Sequence, residues 1–222
     1  MGKNVSGLPL LLSAAVGFTS LPGSAAAAPS ICSAIPENLL VNCGFETGDF
    51  SRWTRSGNTI ASFVAGPGLL GGPLDKPHSG NRFAVLGPVG SDGFLSQTFA
   101  DTAGQVLRIE FFLANDGGTP NDFHASFDSN QLLSLTNDGA HGYTDYTFLV
   151  TATGLDTLTI GGFRNDPGGF GLDDVSIAPV PEPGSLGLLG VFLAGLGSRL
   201  GRRTERPVGA LDDDADRRCG HR

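Results

Sequence analysis

The chain has 222 residues, of which 40% are hydrophobic and 16% are charged, and its formal net charge at pH 7 is −8. An acidic chain without a basic patch repels phosphate backbones, which excludes nucleic-acid binding. The 34 glycines and 14 prolines disfavour long helices and indicate short strands joined by turns, so we predict a single all-β domain.

The N-terminal segment predicts export. Lys3 precedes an apolar stretch centred on residues 8–18, and the small residues 24–28 contain overlapping A-x-A cleavage patterns. We therefore predict a secretory signal peptide over residues 1–28. A permanent N-terminal membrane anchor is the alternative.

Export determines how the cysteines are interpreted. In an oxidising compartment, Cys32 and Cys43 most simply form a disulfide that closes a small loop. A zinc site would need further soft ligands, and no histidine lies between or beside these two cysteines. Cys219 is the odd cysteine, and it lies beyond the C-terminal apolar segment.

Residues 29–178 are predicted to form the folded domain. Several stretches alternate apolar and polar residues, as strands with one buried face do, and turn residues separate them. Because these stretches recur at regular spacing, the pattern predicts a two-sheet sandwich. After an opening apolar strand that begins at Asn38, strands are expected at residues 59–64, 81–86, 94–99, 106–114, 123–127, 132–136, 146–150, 156–163 and 170–177.

The two ends of this domain carry a family resemblance. The opening NLLxNxGFExGxFxxW begins at Asn38 and ends at Trp53, and the closing F-x-LDDVSI runs from Phe170 to Ile177. Together they resemble the galactose-binding-like jelly rolls found in many carbohydrate-binding modules. The resemblance implies a two-sheet jelly roll that binds polysaccharide.

The same resemblance implies a structural calcium ion. In these jelly rolls, an acid of the last strand and the glutamate of the opening GFE turn bind Ca²⁺ together with backbone carbonyls. In this sequence the corresponding ligands are Glu46, Asp173 and the carbonyl of Gly44, a set of hard oxygen donors suited to calcium.

Two adjacent carboxylates are costly in a strand unless a cation compensates them. Strand alternation predicts that Asp173 and Asp174 point to opposite faces, with Asp173 on the core side. If no metal is bound, Asp173 is expected to cap a turn or to pair with Arg82 or Arg164.

The sequence contains no HExxH and no G-x-S-x-G motif, and its acids are scattered over turns, where carboxylates ordinarily cap backbone N–H groups. We therefore expect no enzymatic activity, although a polysaccharide hydrolase would need only two convergent carboxylates. Sugar rings stack on exposed aromatic faces. The candidate platforms are Trp53, Tyr143 and Tyr146, and Trp53 is equally interpretable as a plug at the end of the sandwich.

The C-terminal segment has three parts. A Pro-Glu-Pro triplet should be extended and exposed, and an apolar run over residues 184–200 would form about 25 Å of helix, a marginal transmembrane span. Clustered arginines follow on the expected cytoplasmic side. These three parts over residues 179–203 resemble the PEP-CTERM sorting signal of Gram-negative bacteria. The residues that carry this resemblance are Val180, Pro181, Glu182, Pro183, Arg199, Arg202 and Arg203.

The resemblance to a sorting signal implies processing by an exosortase-type membrane enzyme and delivery to an exopolysaccharide-associated surface layer. A turn before a buried core helix is the alternative interpretation of the same residues. Residues 204–222, with an acidic run, extend beyond the usual family pattern. Two functional classes follow, a glycan-binding matrix protein and a purely structural surface protein without a glycan ligand.

Overall fold

A computed structural model describes Gly2, residues 29–164 and residues 169–181. The described residues form two five-stranded antiparallel sheets, which confirms the predicted all-β sandwich. The strands are β1 Thr54–Gly57, β2 Ser62–Ala65, β3 Phe83–Leu86, β4 Gly93–Ala100, β5 Val106–Asn115, β6 Asn121–Phe127, β7 Asn130–Thr136, β8 His141–Thr151, β9 Leu155–Arg164 and β10 Phe170–Pro179.

The chain crosses repeatedly between the two sheets. The first sheet, called sheet A, has the strand order β1-β4-β9-β6-β7, and the second, called sheet B, has the order β2-β3-β10-β5-β8. Alternating residues of the central strands point inward and form one apolar core. Aromatic rings cross this core: Phe123 of sheet A lies 6.2 Å from Phe111 and 5.1 Å from Phe170 of sheet B. Each fully buried ring contributes about 1.5–3 kcal/mol to folding.

The opening segment differs from its prediction. Residues 38–50 contain no strand, and from Val41 onward they form mainly turns and bends, so the apolar strand expected from Asn38 was wrong. The physical reason is that Asn42 and Phe45 take left-handed backbone conformations, with φ of 56° and 58°, which an extended strand does not allow. The segment instead touches β10 at separate points, where Leu39 N–H donates to the Ile177 carbonyl and Val175 N–H donates to the Cys43 carbonyl.

The strand predicted at residues 59–64 is shifted. Two short strands take its place: β1 pairs with β4 in sheet A, whereas β2 pairs with β3 in sheet B. Between them the chain turns at Ala61, whose φ is 59°. The other predicted strands lie within a few residues of the observed ones, except that β8 begins at His141 rather than at residue 146.

The outer faces of the two sheets differ. The loop of residues 66–82 contains a 3₁₀ turn at Gly72–Leu74 and lies against sheet B. There Leu74 packs with Phe83, Val85 and Ala114 in a second apolar cluster. Among the described residues, no comparable apolar cluster covers the outer side of sheet A.

The two predicted targeting segments lie largely outside the described residues. Of the predicted signal peptide only Gly2 is described, and of the sorting motif only Val180 and Pro181 are. The predicted transmembrane helix over residues 184–200 and the arginine cluster are outside the described part of the chain. Within that part, no helix is long and apolar enough to cross a membrane.

Candidate functional site

Cys32 and Cys43 form the predicted disulfide. Cys32 lies in a 3₁₀ turn at Ile31–Ala34, and Cys43 lies in the opening segment beside β10. Both cysteines are buried in the main core. The disulfide therefore fixes the start of the described domain to the segment that contacts the last strand.

Asp173 and Asp174 lie at a β-bulge in β10. The pairing of β10 with β5 shifts register between Asp173 and Ser176, and Asp174 takes a left-handed conformation with φ of 49°. The bulge interrupts the side-chain alternation, and both carboxylates turn toward the same two residues, His78 and Ser79. The prediction that the two acids point to opposite faces was therefore wrong.

Backbone and side-chain donors of the 66–82 loop satisfy these acids. Asp173 Oδ2 accepts from the N–H groups of His78 at 2.9 Å and Ser79 at 3.2 Å. Asp174 Oδ2 contacts His78 Nδ1 at 2.8 Å and accepts from Ser79 Oγ at 2.6 Å. Its other oxygen accepts from Ser30 Oγ and from the Cys32 N–H. Asp174 thus connects the disulfide region, the loop and the last strand.

The two acids are 0% and 1% exposed, which affects their ionisation. Burial raises the pKa of Asp173 to about 8, and the adjacent Asp174 carboxylate adds to the increase. Within the described residues, no lysine or arginine forms an ion pair with Asp173. The predicted pairing with Arg82 is not found, and the Arg164 side chain lies outside the described part of the structure.

Glu46 contacts the next residues of the same loop. Its Oε1 accepts from the N–H groups of Asn81 at 2.8 Å and Arg82 at 3.1 Å. Gly80 lies between the two acid contacts with φ of +64°, and a side chain at this position would overlap the Glu46 carboxylate. Gly44 is also required to be glycine, because any side chain there would overlap Ser30.

The two side-chain ligands predicted for calcium thus contact the same loop. Glu46 and Asp173 both bind the loop of residues 78–82, and Gly44 packs against Ser30, which itself bonds Asp174. The available donors are carboxylate and carbonyl oxygens, which fit Ca²⁺. Two side-chain ligands leave the rest of the coordination shell to backbone carbonyls and water. Calcium at this place remains a prediction.

The predicted aromatic platforms differ in access. Trp53 is 6% exposed, its indole N–H donates to the Asn42 carbonyl, and its ring lies 5.6 Å from Phe45. This position fits a plug and leaves no free face for a sugar. Tyr143 is half-buried, with its ring 5.5 Å from His78. Its hydroxyl is buried and has no hydrogen-bond partner among the described residues.

The outer face of sheet A offers a different surface. Strand register aligns the outward side chains into rows across the sheet. One row contains hydroxyls on four adjacent strands, because Thr54 pairs with Ser96, Ser96 with Thr159, and Thr159 with Ser126. Such hydroxyls both donate and accept hydrogen bonds.

The neighbouring row contains an aromatic ring. It runs through Ser56, Phe94, Gly161, His124 and Ser134, each paired with the next across all five strands. The Phe94 ring lies close to the position that a side chain on Gly161 would fill. Because Gly161 has no side chain, the half-buried ring lies across the sheet next to the hydroxyl row. The sequence alone did not indicate this surface.

No family model matches this sequence, and no curated protein sequence matches it significantly. Solved structures do match. TmCBM61, solved in complex with β-1,4-galactotriose, is 24% identical with a TM-score of 0.52, over 65% of this chain and 99% of that chain. The similarity shows the fold, a jelly roll of the kind found in carbohydrate-binding modules.

Two further modules match at lower TM-scores. The CBM22-1 xylan-binding domain from Paenibacillus barcinonensis Xyn10C is 15% identical, with a TM-score of 0.43 over 66% of this chain and 96% of that chain. CBM6cm-2 from Cellvibrio mixtus lichenase 5A, in complex with cellotriose, is 14% identical. Its TM-score is 0.38, over 60% of this chain and 95% of that chain.

Proposed function

We propose that this protein is an exported, non-catalytic carbohydrate-binding protein whose ligand lies across the outer face of sheet A. The observation that carries the proposal is the hydroxyl row beside the Phe94 ring on a jelly-roll fold. Sugars need both features, because their C–H faces stack on aromatic rings while their hydroxyls exchange hydrogen bonds. The β-1,4-galactotriose bound by TmCBM61 makes neutral β-linked polysaccharides the first ligands to test.

Binding should be weak for a single domain. One half-buried ring contributes on the order of 1 kcal/mol beyond its area, so useful retention on a polymer requires many displayed copies. The net charge of −8 further disfavours strongly anionic glycans, unless calcium bridges the protein and the polymer. The proposal therefore favours neutral or calcium-bridged polymers.

Removing the Phe94 ring should weaken glycan binding without unfolding the protein. We expect Phe94→Ala to reduce affinity about fivefold to tenfold, which corresponds to about 1–1.4 kcal/mol. Affinity electrophoresis against galactan, xylan and an acidic polysaccharide, each with and without calcium, measures the change. Phe63→Ala is the matched control, because Phe63 is a 38% exposed phenylalanine on sheet B.

The same assay distinguishes the possible locations of the glycan site and the possible functional classes of the protein. If Tyr143→Ala weakens binding and Phe94→Ala does not, the ligand lies on the sheet B side instead. If no polysaccharide retards the unmodified protein, the purely structural surface protein is the better account. Release of reducing ends from any of the polymers would identify a hydrolase and contradict the non-catalytic assignment.

Export and surface sorting are part of the proposal. The support is the sequence: an N-terminal leader with A-x-A sites, and a Pro-Glu-Pro triplet followed by an apolar run and arginines. We further propose an exosortase-type enzyme as the processing partner, with transient membrane contact through residues 184–200. The mature protein would then lie in the exopolysaccharide-associated layer.

Processing predicts the mass of the surface protein. Intact-mass spectrometry of protein recovered from the cell surface should show a species that lacks residues 1–28 and the segment after the Pro-Glu-Pro triplet. The matched control is the same chain with Glu182→Ala and Pro183→Ala, which should accumulate unprocessed. A surface species of the unmodified chain that retains residues 184–222 would contradict processing.

A further inference from the structure

Asp92, Asp122 and His124 form a cluster apart from the acids of the bulge. Asp122 and His124 lie two residues apart on β6, with the buried Phe123 between them, so both side chains point to the outer face of sheet A. Asp92 immediately precedes β4, whose first residue pairs with Gly162 of β9. One ligand atom of each residue lies within 4.8 Å of the others.

The cluster has excess negative charge for its position. Asp92 and Asp122 are both carboxylates of this cluster, and Asp122 also contacts the Phe163 N–H. That N–H donates to Asp122 Oδ1 at 3.0 Å. In the described part of the chain, no lysine or arginine forms an ion pair with either acid, and His124 Nε2 at 3.7 Å from Asp122 Oδ1 is the ionisable partner. Two carboxylates this close favour a bound cation.

We propose that Asp92, Asp122 and His124 bind a divalent transition-metal ion of the zinc class. The imidazole nitrogen decides the class of metal: nitrogen ligands suit zinc and its neighbours, whereas calcium and magnesium prefer oxygen alone. Three protein ligands leave at least one coordination position for water or another ligand.

The geometry permits closure around an ion. Two bonds of about 2.0–2.1 Å at a tetrahedral angle separate their ligand atoms by about 3.4 Å. His124 Nε2 and Asp122 Oδ1 are 3.7 Å apart, slightly more than that, and all three ligand atoms lie within 4.8 Å of one another. The His124 and Asp122 side chains are 34% and 20% exposed, so small rotations would bring the ligand atoms closer.

Zinc titration of the full chain tests the site without any sugar, so its result does not depend on the proposed glycan binding. The Cys219→Ser background removes the odd thiol as a competing zinc ligand. Isothermal titration should show one equivalent of Zn²⁺ bound with a micromolar or tighter Kd. Asp92→Asn and His124→Gln should each raise the Kd for that zinc ion at least tenfold. The melting temperature of each variant without metal should match that of the parent.

His141→Gln is the matched control, because His141 Nε2 lies 2.8 Å from Asp138 Oδ2 in a pair that lacks a second carboxylate. This variant should bind zinc like the parent, and millimolar Ca²⁺ should not displace the zinc. The proposal is overturned if the unmodified site takes up no zinc. It is also overturned if the His124→Gln variant binds zinc as tightly as the parent, or if the His141→Gln variant no longer binds the zinc ion.

Discussion

Replacing Cys32 and Cys43 together with serine will lower the free energy of unfolding by about 3 kcal/mol. The two cysteines are 11 residues apart, and releasing a closed loop of that size returns about this much conformational entropy to the unfolded chain. Both side chains are also buried in the core, so taking two serine hydroxyls out of water there adds a desolvation cost. Urea unfolding of the full chain with the disulfide formed measures the change.

Cys219→Ser is the control for this experiment, since it removes a cysteine without touching the disulfide. We expect the control to unfold at the same urea concentration as the parent. Reduction of the parent with dithiothreitol should reproduce the instability of the double variant. Equal urea midpoints for the parent and the double variant would show that the hydrogen bonds of the opening segment with β10, Gln97 and the 66–82 loop hold it without the disulfide.

Calcium removal should produce the second large effect. If Glu46, Asp173 and the Gly44 carbonyl bind Ca²⁺ only in the folded state, free calcium at a hundred times Kd stabilises the fold by about 2.7 kcal/mol. Chelation will then lower the melting temperature by about 5–11 °C for a domain of this size. Differential scanning calorimetry with and without a calcium chelator measures the shift.

The Asp173→Asn variant should have the same melting temperature with and without calcium. Asp145→Asn is the matched control. Asp145 is an exposed acid on β8, and it pairs with Phe112 of β5, which pairs with Asp173 on its other side. This control should keep the full calcium response. A parent protein whose melting temperature is unaffected by the chelator would contradict the calcium site and leave the backbone N–H groups of His78, Ser79 and Asp174 as the partners of Asp173 found among the described residues.

The sequence predicted most of the strands because their inner faces pack one apolar core. Alternation such as that of residues 123–127 directly reports which side chains face that core. The bulge in β10 was not predictable in the same way, because alternation assumes an unbroken strand. In the sequence, only the adjacent acids Asp173 and Asp174 indicated an irregularity in this strand, because a regular strand does not readily accommodate two successive buried carboxylates.

The outer face of sheet A was missed for another reason. Ser96, Thr159 and Ser126 belong to different strands, and single outward hydroxyls are ordinary in any antiparallel sheet. Strand order and register decide that they form a row, and neither can be read from spacing along the chain. Likewise, Asp92 is distant in sequence from His124, so their proximity depends on β4 and β6 both flanking β9.

The end of β10 determines how the domain would be presented if it were attached through its C-terminal side. Strand β10 is the central strand of sheet B, and Val180 N–H donates to the Val106 carbonyl at the start of β5. The chain therefore leaves the described domain from sheet B, about 10 Å from sheet A across the core. An attachment point there would lie at the end of a sheet B strand and not on the outer face of sheet A, so it would leave the hydroxyl row and the Phe94 ring uncovered.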